Sequence, residues 1–300
     1  MIGAIIHALA DKGPMTGAEL EAAIGTQDHF ELWYQCFSSE TLQISSFAHY
    51  YLRFDVTRGN LLRLSPSILR DFLTYTLIGL PHHRHEMHRR QLVLSNAHRE
   101  ISHQKLRIAM NILAEVEQEI SEPSRLAMCA FVGGDIAYFM SHAEERPSSS
   151  TGENMSGSDI DIVVVYGPSA DESDLDLLDK HLTQRKVQFM RDSRHRQELD
   201  FIIKPIDRVV SQTAYSTIDQ KIACKIIAES MFAWGSTSLY MRLRHLLDQY
   251  EVSGKIHQDF QEAITERASA VDVLLHNHPK EISEQVKGLF YFSQERVEFS

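Results

Sequence analysis

The feature that most constrains the fold is an apolar run, 156–165, that carries two acidic residues one position apart, Asp159 and Asp161. Its isoleucine and valine content predicts a β-strand. Successive side chains of a strand point to opposite faces, so the two carboxylates share one face, while Ile160, Ile162 and Val164 cover the other. Two like charges beside an apolar core are unfavourable unless a positive group lies between them. The run therefore predicts a strand that carries a paired-carboxylate metal site.

The composition is that of a globular protein, with 300 residues, 43% hydrophobic and 24% charged, and it leaves room for two domains. No uncharged apolar run reaches about 18 residues, and the first ten residues lack the basic start of a signal peptide. We therefore expect a cytoplasmic protein with no membrane partner. The three scattered cysteines, Cys36, Cys129 and Cys224, indicate reduced, buried thiols and not a disulfide framework or a zinc site.

The formal net charge of -11 argues against broad electrostatic affinity for DNA or an anionic membrane. The segment 82–107 is a local exception and predicts a basic surface. Its cations are Arg84, Arg89, Arg90, Arg99, Lys105 and Arg107, with His82, His83, His85, His88, His98 and His103. The first four of these histidines have two interpretations, as metal ligands or as a solvated basic face; the segment has no cysteine and Glu86 is the one carboxylate among these four, which favours the second.

The first 80 residues predict a winged-helix-like domain. Helices are expected at 2–11, from the capping-box sequence at Thr16 to Gly25, and at 28–37. Two β-prone runs, 49–56 and 61–64, follow with a turn at 57–60, which is typical of a hairpin. The third helix carries mostly apolar side chains, which favours a packing or partner-binding role over sequence-specific reading of DNA. Arg53, Arg58 and Arg63 on the hairpin keep DNA binding as an alternative.

We expect an α+β protein with four parts: a winged-helix-like domain at 1–80, a basic segment and linking helix at 81–122, a catalytic core at 123–206 and a helical region at 207–300. Further helices are predicted at 66–80, 86–120, 136–141 and 171–181. In the core, strands are predicted at 126–132, at the acidic pair, at 186–190 and at 198–203, with a loose serine-rich insert at 142–154.

A second group of residues strengthens the interpretation of the acidic pair. Gly133 and Gly134 end a strand where a helix begins, so their N–H groups can cradle phosphate oxygens without obstruction by side chains. Ser158 adds a hydroxyl donor. Asp200 lies in an apolar run that should be buried, where an isolated carboxylate is costly. If its strand neighbours the one with Asp159 and Asp161, three carboxylates converge.

These motifs together resemble the nucleotidyltransferase superfamily of the DNA polymerase β type, which includes the minimal nucleotidyltransferases. That pattern is a hydrophobic residue before Gly-Gly or Gly-Ser, a helix, Asp-x-Asp before a hydrophobic run, and a later third carboxylate. The matching residues are 132–134, 159–162 and Asp200, within a region of about 110–245. Two features depart from the pattern: the serine-rich insert lengthens the spacing, and Asp135 lies beside the glycine turn. That side chain either weakens triphosphate binding or caps the helix.

The resemblance implies that Asp159 and Asp161 hold two Mg²⁺ ions, or Mn²⁺, that bridge the triphosphate of a nucleotide such as ATP, and that Asp200 completes the metal site. A cationic phosphate contact is expected from Lys221 and Lys225, which lie one helical turn apart; the alternative is that both are ordinary surface lysines. The apolar run 231–236 either shapes a base pocket or belongs to the core.

The implied activity is transfer of a nucleoside monophosphate from a nucleoside triphosphate to a hydroxyl of a protein or small molecule, with release of pyrophosphate. Metal-dependent glycosyltransferases share the Asp-x-Asp motif, but the glycine turn and Asp200 favour nucleotidyl transfer. The alternative is a non-catalytic regulator of the toxin–antitoxin or defence type that binds DNA or a partner protein. We also consider a homodimer.

Overall fold

The computed structural model describes residues 1–55, 61–147, 154–191, 197–277 and 283–292, and it confirms an α+β protein with a mixed sheet and a long helix. The chain divides into two compact units, the first formed by Met1–Ala97 with Asp259–Ser300 and the second by His98–Gln258. The region predicted as one helical part, 207–300, is thus shared by both units. Within the described ranges, no helix is long and apolar enough to cross a membrane.

The first unit begins with the three expected helices, α1 (Ile2–Lys12), α2 (Gly17–Ile24) and α3 (His29–Phe37). The predicted capping box is present at the start of α2. The N–H of Glu19 donates to Thr16 Oγ1 at 3.3 Å, and the N–H of Thr16 donates to Glu19 Oε2 at 2.8 Å. Gly25 ends α2 in the left-handed region with φ of 70°.

The described residues of the same unit form five strands: β1 (Met15–Thr16), β2 (Gln43–Ser46), β3 (Tyr51–Asp55), β4 (Leu61–Ser65) and β5 (Thr76–Gly79). Strands β3 and β4 form the expected antiparallel hairpin, whose turn at 56–60 lies outside the described residues. The other three form a sheet in the order β1-β5-β2 that the sequence analysis did not predict.

The helix expected at 66–80 is wrong in its second half. Helix α4 (Ile68–Arg70) continues as a π-helical turn, Asp71–Tyr75, and the chain then becomes β5. All four residues of β5 are buried, and antiparallel pairing to β1 and β2 satisfies this backbone. An apolar run of this kind fits a buried helix or a central strand equally well, so its pattern alone does not separate the two.

The core of the first unit draws on both of its chain segments. Leu32 and Trp33 of α3 are fully buried, and Phe72 of the π-helical turn is 1% exposed. Leu274 and Phe290, from the second segment, lie in the same cluster. Phe290 contacts Trp33 with ring centroids 5.3 Å apart. The residues before position 98 therefore do not complete this core alone.

The second unit is built on a four-stranded sheet. Helix α5 (Arg84–Val116), close to the prediction of 86–120, is followed by α6 (Glu122–Leu126). The sheet consists of β6 (Met128–Val132), β9 (Ile160–Tyr166), β10 (Leu199–Pro205) and β11 (Met231–Gly235), in the order β10-β9-β6-β11. Strands β9 and β10 are parallel, whereas β6 is antiparallel to β9 and to β11.

The predicted insert at 142–154 has ordered ends, because β7 (Glu145–Pro147) pairs with β8 (Asn154–Ser156). Residues 148–153 between them lie outside the described residues. The run 231–236, for which a pocket or core role was expected, supplies β11, and Ala233 and Trp234 within it belong to the core of the unit.

Two expected elements of the second unit need correction. Helix α7 (Gly134–Ala137) is shorter than the predicted 136–141, because Phe139 takes a left-handed φ of 58°. The stretch 186–190 is not a strand but the end of α8 (Glu172–Arg191). The remaining helices are α9 (Ile206–Gln212), α10 (Ile218–Glu229), α11 (Thr237–Gln249), α12 (Val252–His276) and α13 (Glu284–Lys287).

The predicted state of the cysteines is confirmed, since Cys36, Cys129 and Cys224 are free thiols and all are buried. Burial raises the pKa of Cys36 and of Cys129 to about 12, and that of Cys224 to about 11. Thiols with such pKa values carry little thiolate at neutral pH, so they are poor nucleophiles.

Candidate active site

The acidic pair lies at the start of β9. Asp161 is exposed, whereas Ile160 and Ile162 on either side of it are buried, at 0% and 1% exposure. Asp159 directly precedes the strand, is half-buried, and its Oδ1 atom is buried. The expected alternation is therefore limited to 160–162, because Val163 and Val165, which follow on the face of Asp161, are buried at 6% and 0% exposure.

The third carboxylate lies on the neighbouring strand. In the parallel pairing of β9 and β10, Asp200 is the register partner of Asp161. Register partners on adjacent strands project to the same side of a sheet, and the strands lie about 4.8 Å apart. The strands that carry Asp161 and Asp200 are thus neighbours, and Asp159 lies two residues before Asp161.

The burial expected for Asp200 is wrong. Its side chain is 44% exposed, although Leu199 beside it is fully buried. The reason is the position of β10 at the edge of the sheet, where side chains on one face remain open to water. Asp200 also forms an ion pair through Oδ1 with Nζ of Lys186, near the end of α8. Sequence reasoning missed Lys186 because it assigned that stretch to a strand.

The glycine turn lies directly beside Asp161. Gly134 has a φ of 62°, and a Cβ atom at this position would lie 3.7 Å from Asp161 Oδ2. A Cβ on Gly133 would lie 3.4 Å from Cγ2 of Ile226 in α10. The left-handed φ explains the need for glycine at position 134. Helix α7 after the turn has only four residues, so the backbone N–H groups of the turn matter more than a helix dipole.

Ser158, predicted to donate to phosphate, donates instead to Asp135. The distance from Ser158 Oγ to Asp135 Oδ2 is 2.8 Å, and the N–H of His142 donates to Ser158 Oγ at 3.2 Å. Asp135 is the second residue of α7, and Gly133 occupies the N-cap position of that helix. The hydroxyl of Ser158, which is 5% exposed, therefore holds the loop of His142 and the turn of Asp135 together.

The two predicted phosphate-binding lysines have different surroundings. Lys221 Nζ lies 5.1 Å from the ring centroid of Tyr215, a cation–π contact. Lys225 is 8% exposed, and its Nζ lies 2.7 Å from Glu229 Oε2 one turn further along α10. The interpretation of Lys225 as an ordinary surface lysine is therefore wrong, since it belongs to a buried ion pair.

Tyr138 and Glu229 extend this pair and were missed in the sequence. Burial raises the pKa of Glu229, and the nearby charge of Lys225 opposes that rise. Burial also raises the pKa of Tyr138, as do the charge of Glu229 and the hydrogen bond between the two side chains. Because Ile226 of the same helix contacts Gly133, this polar cluster lies near the glycine turn. The spacing of Lys225 and Glu229, four residues apart, was the available signal.

Some cations of the predicted basic surface at 82–107 bind other groups of the protein. Lys105 is 3% exposed, and its Nζ donates to Gln197 Oε1 at 3.0 Å. Arg90 donates to the carbonyl of Pro14 and pairs with Glu19. These two cations are therefore structural, which weakens the expectation of one continuous basic surface.

The hairpin arginines proposed as DNA contacts are also engaged internally. Arg63 donates to the carbonyls of Gly288 and Tyr291, each at 3.2 Å, and of Leu289 at 2.7 Å. Its guanidinium and that of Arg53 lie 4.6 and 4.1 Å from the ring centroid of Phe292. Arg58 lies outside the described residues. The guanidinium groups of Arg53 and Arg63 are thus engaged in contacts with residues 288–292.

Within the described ranges, no three His, Cys, Asp or Glu side chains converge as a ready-made metal site, and this includes the four histidines at 82–88. Asp161 and Asp200, register partners on parallel strands, nevertheless offer the carboxylate oxygens that a hard divalent cation prefers, and Asp159 lies two residues before Asp161. Asp200 binds the ammonium group of Lys186 through Oδ1.

Comparisons of the chain with protein-family models, with curated proteins and with solved structures found no match. The resemblance to nucleotidyltransferases consequently rests on the motif residues themselves.

Proposed function

We propose that the unit His98–Gln258 is a nucleotidyltransferase that moves a nucleoside monophosphate from a nucleoside triphosphate, such as ATP, to a hydroxyl group, with release of pyrophosphate. One observation carries the proposal. Asp161 and Asp200 are register partners on parallel strands, and Asp161 Oδ2 lies beside the open backbone of Gly134. Carboxylates for cations and a glycine turn for phosphate are therefore adjacent.

The chain's own residues have distinct roles in this proposal. Asp159 and Asp161 hold divalent cations, Mg²⁺ or Mn²⁺, against the triphosphate, and Asp200 accepts the proton of the acceptor hydroxyl. The N–H groups of Gly133 and Gly134 bind phosphate oxygens, which no side chain obstructs. When bound, the cations neutralise charge on the transferred phosphoryl group and on the leaving pyrophosphate.

The polar contacts around the turn position these groups. The bond from Ser158 to Asp135 fixes the residue directly before Asp159 against the residue directly after Gly134. The hydrogen bond between Glu229 of α10 and Tyr138, the residue after α7, connects that helix to the chain that follows the turn. Correct positioning is a large part of phosphoryl-transfer catalysis, since reacting groups must be aligned in line.

The acceptor is proposed to be a hydroxyl of a protein or small molecule. The reaction requires only a hydroxyl aligned with the α-phosphate. A long nucleic acid is a poorer candidate, because the chain has a net charge of -11 and several cations of its basic segment and hairpin bind within the protein.

The direct test incubates the protein with each α-labelled nucleoside triphosphate and Mg²⁺, with and without a cell lysate as the source of acceptor. We expect labelled product and pyrophosphate from the wild type. Asp161→Asn should lower the rate by about 10²-fold or more, the scale of losing one main electrostatic contact to a transition state. Asp176→Asn is the matched control, because Asp176 is exposed on α8.

Absence of any nucleotide or divalent-cation binding by the wild-type protein would refute this proposal. The regulatory alternative makes the opposite forecast, salt-dependent binding to duplex DNA that Asp161→Asn leaves unchanged. The internal use of Arg53 and Arg63 weighs against that alternative.

A further inference from the structure

The contact between Lys186 and Asp200 lies within the proposed metal site. Lys186 reaches Asp200 from α8, which packs against β10. Both side chains are partly open to water, at 33% and 44% exposure. The ammonium group thus neutralises the third carboxylate from the solvent side of the edge strand.

The ammonium group of Lys186 and a divalent cation compete for the same carboxylate, Asp200. Lys186 Nζ binds Asp200 Oδ1, and a cation bound there would also repel the ammonium charge at short range. Lysine has a long flexible stem, and a partly exposed ion pair is weak. Lys186 is therefore easily displaced.

We propose that Lys186 is a built-in counter-ion of Asp200 that competes with the divalent cation and is released when the cation binds. The inference rests on the proposed function, because it concerns the same carboxylates. It makes Lys186 a positioning residue: in the absence of the cation it holds Asp200 on the sheet edge, and it sets the cation concentration at which the three carboxylates act together.

The first experiment measures Mn²⁺ affinity from the electron paramagnetic resonance signal of the free ion, with no nucleotide present. Lys186→Met should bind Mn²⁺ about three- to tenfold more tightly than the wild type, since a weak competing ion pair is removed. Lys186→Arg keeps a cation and should stay near the wild-type affinity. Lys180→Met is the matched control, because Lys180 is exposed on the same helix.

The second experiment measures the release of Lys186 from Asp200. The wild-type protein is labelled with an amine-reactive ester, and the modified lysines are quantified by mass spectrometry with and without saturating Mn²⁺. Labelling of Lys186 should rise when Mn²⁺ is added, whereas labelling of Lys180 should not change.

The outcomes separate the two proposals. The counter-ion role is overturned if the wild type and Lys186→Met bind Mn²⁺ with equal affinity, or if labelling of Lys186 does not change when Mn²⁺ is bound. Either result leaves the nucleotidyltransferase proposal standing. No Mn²⁺ binding by any of the four proteins overturns both.

Discussion

Ser158 is the residue whose hydroxyl joins the two halves of the candidate site. It donates to Asp135 and accepts from the N–H of His142 while almost fully buried. A buried polar group that loses its partner costs about 1–3 kcal/mol. The loop before β9 and the glycine turn should therefore depend on this one side chain.

Ser158→Ala should accordingly lower the free energy of unfolding by about 1–3 kcal/mol, measured by urea denaturation. Ser173→Ala is the matched control. Ser173 also donates to a carboxylate, Asp171 Oδ1 at 2.7 Å, but in an exposed position, where we expect a change of about 0.5 kcal/mol or less. Equal losses in the two variants would contradict a specific role for Ser158.

Lys204 makes stability depend on pH. This residue is 4% exposed, and burial lowers its pKa from 10.5 to about 8, with a smaller contribution from the charge of Arg208. Below pH 8 the lysine is charged in both folded and unfolded states, so the cost of burying that charge is present in full. Above pH 10.5 it is neutral in both, and the cost is gone. This contribution therefore stabilises the fold as pH rises from 8 to 10.5.

Lys204→Met should remove that dependence. The difference in unfolding free energy between variant and wild type should shrink between pH 8 and 10.5 by an amount on the order of 3 kcal/mol, from urea titrations at several pH values. Lys180→Met, at an exposed position, should show no such trend. A difference that stays constant with pH would refute the assignment to Lys204.

At the scale of elements, residues 288–292 act as a strap that holds the hairpin. Arg63 binds three of their carbonyl groups, and the N–H of Leu69 donates to the carbonyl of Phe290 at 2.9 Å. Phe290 itself lies in the core of the first unit. The strap is therefore held by hydrogen bonds along its backbone and by two buried rings, since Phe292 is also 2% exposed.

Arg63→Met should loosen the strap, because three carbonyl groups lose a charged donor. Amide hydrogen exchange of 286–292 should become faster by about tenfold or more, which corresponds to a hydrogen bond to a charged group, at about 1.5–3 kcal/mol. Arg89→Met, at an exposed position of α5, is the control and should leave exchange unchanged. Unaltered exchange in Arg63→Met would contradict a role of Arg63 in holding the strap.

Helices and strands were predicted well where apolar residues repeat at a regular spacing or a capping sequence marks the start. These include α1 to α3, the hairpin and the acidic strand. The end of α8 was not, because Val187 and Phe189 are β-prone when taken locally. Leu175, Leu178, Leu182 and Phe189 are spaced by three, four and seven residues, and all pack on one core. Helical packing over that longer range overrides local propensity.

The candidate site, too, could be predicted only in part from the sequence. The three carboxylates and the glycine turn follow from motif spacing, and the register of β9 and β10 agrees with it. Tyr138 was not assigned from sequence, because its partner Glu229 lies far along the chain, and Lys186 was not, because its stretch was taken for a strand and not for the end of α8. Contacts of this kind become visible only when the strands and helices are placed in space.

At the scale of the whole molecule, the two units differ in how the chain builds them. The second unit is one continuous stretch, His98–Gln258, whereas the first is assembled from two. The fragment 98–258 should therefore fold alone, with a cooperative urea transition and dispersed amide signals in its NMR spectrum. The fragment 1–97 should not, because it lacks Leu274 and Phe290 of its core.

Mixing the fragment 1–97 with a peptide of residues 259–292 should restore structure in the first unit, and the same peptide with Phe290→Ala should do so less well. The loss of one buried Phe ring costs about 3–5 kcal/mol, enough to prevent assembly of a small core. A cooperative transition in the fragment 1–97 alone would contradict this account.

The interrupted first unit also sets an order of events during synthesis. Every residue of the second unit has been made by position 258, but the first unit waits for Leu274 and Phe290. Translation at roughly 5–20 residues per second leaves a delay of a few seconds. During that delay the apolar residues of α3 lack part of their packing, so the emerging chain should be a better chaperone client than the finished protein.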